Sequence, residues 1–187
     1  MEVVMDVLSP VPDEVPGSAV FRDCLGEFAT GVTVVTAEHD GEPAGMTLNA
    51  FTSVSLDPLL VLVSLGHGSR TLTAVRQSKR FAVSILHRGQ SEAAVDFAAR
   101  GMPFPAHHVR RTFENFSAVE GAAAVLCCGV TEIVVAGDHD LVIGEVLAIE
   151  HRGGEPLVFY RGSLGGMQAD SAIPAGHPIS LDEGAGW

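Results

Sequence analysis

The sequence predicts a mainly β fold with a few helices, an antiparallel barrel in preference to a doubly wound parallel sheet. Its β-rich runs are joined mostly by turns, not by regular helical crossovers. It also lacks the Rossmann GxGxxG and P-loop GxxxxGK[ST] signatures, so a nucleotide would be held in another way.

Taken in order, residues 1–17 hold Pro10, Pro12, Pro16 and Gly17 and read as an extended arm. Ser18 stands at an N-cap position, and Val20, Phe21, Cys24, Leu25 and Phe28 recur as an amphipathic helix stripe that Gly31 ends. Val32 to Ala37 is a β-branched strand, followed by a hairpin turn at Asp40-Gly41. Gly45 to Ser55 reads as one strand. Leu59 to Leu65 is apolar on both faces and so a buried central strand. Ser69 caps a short helix reaching Gln77, Phe81 to Leu86 is a strand, and Ser91 to Arg100 reads as a helix capped by Ser91 with Glu92 in its first turn. Residues 101–121, with Pro103 and Pro105, read as a long connection. Val125 to Val135 and Asp140 to Glu150 form two long strands about a turn at 136–139, and Pro156 to Tyr160 is a last strand. After residue 162 the chain reads as a loosely held tail, 163–187.

Composition narrows the function. The 187 residues carry 11 Lys and Arg against 23 Asp and Glu, a net charge of −12. That balance opposes nucleic acid and anionic membrane as partners, since both need clustered cations. An apolar content of 47% with only 18% charged residues excludes a disordered chain. No run is long enough for a membrane helix, and the acidic N-terminus is unlike a signal peptide. Cys24, Cys127 and Cys128 form no CxxC pair, which suggests a reduced, cytoplasmic setting.

Three segments could carry chemistry. Along Gly45 to Ser55, alternation puts Met46, Leu48, Ala50 and Val54 on one face. The other face holds Thr47, Asn49, Phe51, Ser53 and Ser55, which suits a flat heteroaromatic ligand with donor and acceptor edges. The same alternation fits an ordinary half-exposed strand. Gly66-His67-Gly68-Ser69-Arg70-Thr71 offers two glycines, a helix start, an Arg and two hydroxyls, the parts of a phosphate cradle. A flexible turn with a serine cap reads equally well. Arg76, Lys79 and Arg80 make this stretch locally basic, or form a solvated helix face. The third segment is Gly137-Asp138-His139-Asp140, where a histidine between two aspartates could be held as a donor, or the four residues are a polar turn. Gly144 reads as a bulge, a close approach to a ligand, or a small residue under a neighbour.

The remaining candidates point away from other chemistries. Cys127 and Cys128 face opposite sides of a strand and cannot share a metal. His107-His108 has no spaced carboxylate or HExxH context, so no metal site is expected. Arg110-Arg111 fits surface charge or a reach toward a cofactor tail. A hydrolase built on Ser69 and His67 lacks the GxSxG elbow and an independent base.

In order along the chain, the sequence resembles the flavin reductase family with the FMN-binding split barrel, the reductase partners of two-component flavin monooxygenases. The resemblance rests on Phe28-Ala29-Thr30-Gly31-Val32-Thr33-Val34-Val35-Thr36, Gly45 to Ser55, Asp57-Pro58-Leu59-Leu60-Val61-Leu62-Val63, Ser69-Arg70-Thr71, Phe81 to Leu86, Gly137-Asp138-His139 with Gly144-Glu145-Val146, and Pro156 to Gly162. It implies a split β-barrel of Greek-key type over 18–162, paired as a homodimer with flavin at the subunit boundary. It places Thr47, Leu48, Asn49 and Ala50 along the isoalloxazine of FMN or FAD, with Ser64 nearby and Ser69, Arg70 and Thr71 at the phosphate. His139 falls on the side of NADH or NADPH, the hydride donor, as the candidate catalytic residue. Reduced flavin would pass to a separate oxygenase. Ser163 and Leu164 stand where family members often show Arg and an aromatic residue. The alternative function is a flavin-binding electron carrier that does not use NAD(P)H.

Overall fold

A computed structural model describes residues 15–167. Helix α1 is Ser18–Leu25, and strands β1 (Thr30–Gly31), β2 (Thr33–His39) and β3 (Glu42–Leu48) follow. Next come β4 (Phe51–Leu56), β5 (Leu59–Gly66), α2 (Arg70–Ser78), β6 (Arg80–Ile85) and α3 (Ser91–Ala98). The rest are β7 (Val109–Thr112), β8 (Phe116–Val119), β9 (Ala124–Ala136), β10 (His139–His151), β11 (Leu157–Tyr160) and β12 (Ser163–Gly166).

The main sheet is antiparallel and runs β3-β2-β6-β9-β10-β5-β4. Its two edge strands, β3 and β4, are consecutive in the chain and joined only by Asn49 and Ala50. From Leu48 to Phe51 the chain takes three steps and spans at most about 11 Å, so the sheet must curl until its edges approach. The result is a barrel split along the β3/β4 seam. Gly45 to Ser55 is therefore two strands on two ladders, where the sequence reading expected one. Leu48 pairs with Thr33 of β2, while Phe51 pairs with Val63 of β5. The expected alternation also fails beyond the break, since Val54 is exposed while Ser53 and Ser55 are half-buried.

Strand alternation sorts the apolar residues into two clusters. Val35, Val63, Leu65, Phe81, Val83, Cys128 and Val142 join Leu72 and Val75 of α2 in the barrel interior. Val34, Ala82, Cys127 and Leu86 face the other way and pack against α3 and β8. Neighbours such as Cys127 and Cys128 thus belong to opposite clusters, as expected of a strand with both faces buried. Burial pushes the Cys128 thiol up to about 12, so it stays protonated.

Other departures are local. The β2–β3 turn is the expected two-residue hairpin, with Asp40 and Gly41 both at positive φ (50° and 79°). Residues 101–121 are not a bare connection, because β7 and β8 pair within them and β8 is wholly buried. Gln90, not Ser91, is the α3 N-cap. Helix α1 has Gly17 at its N-cap and ends at Leu25, and its apolar stripe is exposed, Val20 to 64% and Phe21 to 58%. The expected arm 1–17 and tail 163–187 fall mostly outside the described residues. Where the tail is described, Ser163–Gly166 pairs with β11. Among the described residues no helix is long and apolar enough to cross a membrane.

Candidate active site

The seam opens into a cleft of about 800 Å³. Gly45 to Ala50 form one wall, and Ser64 with Gly66 to Thr71 forms another. Phe97 to Gly101 closes one side, and Asp138 and His139 reach in from the β9–β10 hairpin tip. Such a size suits a nucleotide-like ligand.

Each wall has a local cause. Asn49 and Ala50 lie between the two ladders, so their N–H groups are not committed to strand pairing. Their carbonyls accept from Phe51 N and Ser64 N at 2.9 and 3.1 Å. Both side chains are exposed to the cleft side of the break. Thr47 Oγ1 donates to Ala94 O of α3 at 2.6 Å, tying the wall to that helix. Leu48 is buried in the barrel interior.

The β5–α2 turn supplies the anion-binding part. Ser69 caps α2, its Oγ accepting from Leu72 N at 3.2 Å. The N–H groups of Arg70 and Thr71 open the helix, and its first turn carries no acidic residue. That end is therefore positive by dipole and by donors. Arg70 also donates to Met102 O at 2.6 Å, which draws the segment after α3 over the cleft. Thr71 is buried.

The hairpin tip is tied to this turn. His67 N donates to Asp138 O at 2.9 Å, and His139 Nδ1 contacts Asp138 Oδ1 at 2.7 Å. The His139 ring lies over Gly66, its register partner on β5. Asp140 is fully buried, with Oδ1 2.9 Å from His67 Nε2 and Oδ2 2.9 Å from Arg76 Nε. The Arg76 hydrogen bond, aided by that from His67 and against the cost of burial, holds the Asp140 carboxyl below the usual carboxylate range. The His139 hydrogen bond does the same for Asp138.

Thr47, Leu48, Asn49, Ala50, Ser64, Ser69, Arg70, Thr71 and His139 therefore meet at one cleft. The wider basic stretch does not. Arg76 is paired with Asp140, Arg80 stacks over Phe116 with its guanidinium carbon 4.1 Å from the ring centroid, and Lys79 ends α2 in the left-handed region. Arg110 and Arg111 pair with Glu150 and Glu38, away from the cleft. Gly144 faces Phe81 in the core and no ligand space: a Cβ there would stand 2.5 Å from that ring. Sequence reading missed Phe97 to Gly101, although Arg100-Gly101, two residues past the end of a helix, is a detectable basic, turn-forming signal.

A barrel split along one seam, with a helix N-terminus facing the seam, is the architecture of the split-barrel flavin reductases. The chain belongs to that family: residues 25–168 match the flavin reductase like domain. It is 40% identical over 154 residues to FMN reductase (NADH) SmoA of Agrobacterium fabrum, covering 81% of this chain and 88% of that protein. It is 37% identical over 147 residues to the reductase component of a 4-nitrophenol 4-monooxygenase/4-nitrocatechol 2-monooxygenase of Rhodococcus opacus, covering 79% and 80%. Among solved structures, NADH:FAD oxidoreductase SgcE6 of Streptomyces globisporus, in complex with NAD and FAD fragments, superposes with a TM-score of 0.77 at 35% identity, covering 82% of this chain and 94% of that one.

Proposed function

We propose that this chain binds FMN or FAD in the seam cleft, reduces it at the expense of NADH or NADPH, and hands reduced flavin to a separate oxygenase. The carrying observation is the joining of two unlike half-sites in one cleft: a backbone stretch at Asn49-Ala50 whose N–H groups strand pairing does not use, and a cationic helix start at Arg70-Thr71. A flavin has the same two parts, a flat ring with polar edges and an anionic tail. The relatives' names support the reading and favour NADH.

The residues present fit the group. Ring edges would meet the N–H groups and side chain of Asn49 and the N–H of Ala50, with Thr47 and Ser64 nearby. The phosphate would meet Ser69, Arg70 and the open N–H of Thr71, and Arg100 adds a second cation at the rim. When bound, flavin supplies the hydride-accepting ring. The protein's share is placement. Asn49 and Ala50 fix the ring plane, Phe97 to Gly101 keep water off one side, and His139, braced by Asp138, orients the pyridine nucleotide from the hairpin tip. No strong general acid is required.

The exposed apolar residues Val20, Phe21 and Leu25 of α1, with Val135, Leu147 and Ile149 of β9 and β10, support a homodimer. Light scattering of the purified chain tests that state. A cytoplasmic location follows from the need for reduced pyridine nucleotide.

The deciding experiment is steady-state NADH and NADPH oxidation with added FMN or FAD. Flavin-dependent turnover is expected. A chain that turns yellow with flavin but ignores both donors is a carrier module and not a reductase.

A further inference from the structure

The fold assembles a set of ligand atoms that spacing along the chain does not reveal. His107 and His108 lie in a short 3-10 turn at Ala106–His108, and Asp96 lies in the last turn of α3. Asp96 Oδ2 is 2.9 Å from His108 Nε2 and 3.5 Å from His107 Nε2. One ligand atom from each residue lies within 4.8 Å of the other two. The two imidazoles stand side by side, with ring centroids 4.0 Å apart.

These separations bracket the edge of a metal tetrahedron, about 3.4 Å for bonds of about 2.0–2.1 Å. Two imidazole nitrogens and one carboxylate oxygen suit Zn²⁺ and its neighbours better than Mg²⁺ or Ca²⁺, which prefer oxygen alone. A cation here replaces the Nε2 protons, which move to Nδ1 or to solvent. His107 is mostly exposed, which leaves a path for entry. Glu92, one helical turn before Asp96, lines the same recess as both histidines.

The location gives the site a consequence. Asp96 and His107 close the base of the 97–106 loop. Inside it Phe97 packs edge-on against Phe104, with centroids 5.5 Å apart. Its outer part, Ala98 to Gly101, lines the seam cleft, and Met102 O takes the Arg70 hydrogen bond.

We propose that Asp96, His107 and His108 form a three-ligand site for a divalent cation of the Zn²⁺ type, which clamps the loop forming one side of the seam cleft. The site does not depend on what the cleft binds.

The full-length chain, with any affinity tag removed, is titrated with ZnCl₂ by calorimetry and with CoCl₂ by visible absorption. Hydrogen exchange is followed at residues 98–104 with and without zinc. Saturable uptake of about one equivalent, a tetrahedral cobalt spectrum and slowed exchange in that loop are expected. Asp96→Asn and His107→Ala should each weaken zinc binding at least about tenfold and abolish the change in exchange. His107→Ala removes a mostly exposed ring, so it keeps the test valid even if His108→Ala fails to fold. Absence of saturable uptake, or uptake equally tight in the wild type and these variants, overturns the site.

Discussion

Asp140 Oδ1 lies 2.9 Å from His67 Nε2, joining the β9–β10 hairpin to the turn that opens the cleft. The same carboxylate accepts from Arg76 of α2 through its other oxygen. One buried anion thus holds three elements that border the site, and its titration should be visible in stability. Because its folded-state pKa is lowered, its contribution is present above the ordinary carboxylate value and is lost as pH falls through the lowered one. Thermal melting from pH 7 down to about pH 3 should show the wild type losing more stability than Asp140→Asn on the acid limb. Parallel acid limbs would remove Asp140 as the linked group.

Asn49 stands where neither ladder uses its N–H, and its side chain is exposed beside the cleft. Asn49→Ala should raise the flavin dissociation constant about three- to tenfold, the worth of roughly one hydrogen bond, with melting temperature little changed. Fluorescence titration with FMN measures it. An unchanged constant would refute this placement of the ring.

His139 sits at the hairpin tip over Gly66, braced by Asp138. His139→Ala should raise KM for the reduced pyridine nucleotide more than KM for flavin, by a factor of about three or more, the scale of one lost polar contact. Equal changes in both constants count against a role on the nucleotide side.

These predictions differ in how far the sequence foreshadows them. The residues around the cleft were legible because each segment carries a local chemical signal, such as glycines beside an N-cap or an Asn amid short polar side chains. The seam itself was not. Alternation describes which face a residue takes, and it is blind to a strand changing partners, so the break at Asn49-Ala50 looked like continuous strand. Phe97 to Gly101 escaped for a related reason: their place at the cleft is fixed by the Arg70 bond to Met102, 32 residues away. The α1 stripe was legible as amphipathic, yet no stretch of sequence could tell that the face stays exposed in the single chain. Asp96 likewise lies 11 and 12 residues before the two histidines, a spacing with no metal-site signature.

Arg70 should separate the flavin's tail from its ring. Its guanidinium meets the cleft beside the open N–H groups of α2 and is anchored by Met102 O. A charge-assisted contact to phosphate contributes about 1.5–3 kcal/mol, so Arg70→Ala should weaken FMN roughly ten- to a hundredfold. Riboflavin carries the same ring without the phosphate, so its affinity should fall much less, by only what loss of the Arg70–Met102 tie costs that wall of the cleft. Arg70→Lys keeps the charge but loses the fork, and should recover only part of the FMN affinity.

Gly144 bears on the core and not on the ligand. A Cβ there would stand 2.5 and 2.6 Å from Phe81 Cζ and Cε1 and 3.1 Å from Cys128 Cβ. Phe81 is fully buried among barrel-interior residues, so shifting its ring disturbs the packing around it. The strand is already irregular at this point, where the β9–β10 register shifts between Ile143 and Gly144. Gly144→Ala should therefore destabilise the fold by about 1–3 kcal/mol, the cost of overpacking, read by urea unfolding. Flavin affinity of the folded fraction should be unchanged, because the cleft lies on other residues. The double variant Phe81→Leu/Gly144→Ala tests the cause, since a smaller side chain at 81 makes room for the new methyl. It should be more stable than the sum of the two single effects allows. Strict additivity would mean that the ring at 81 is not what excludes a side chain at 144.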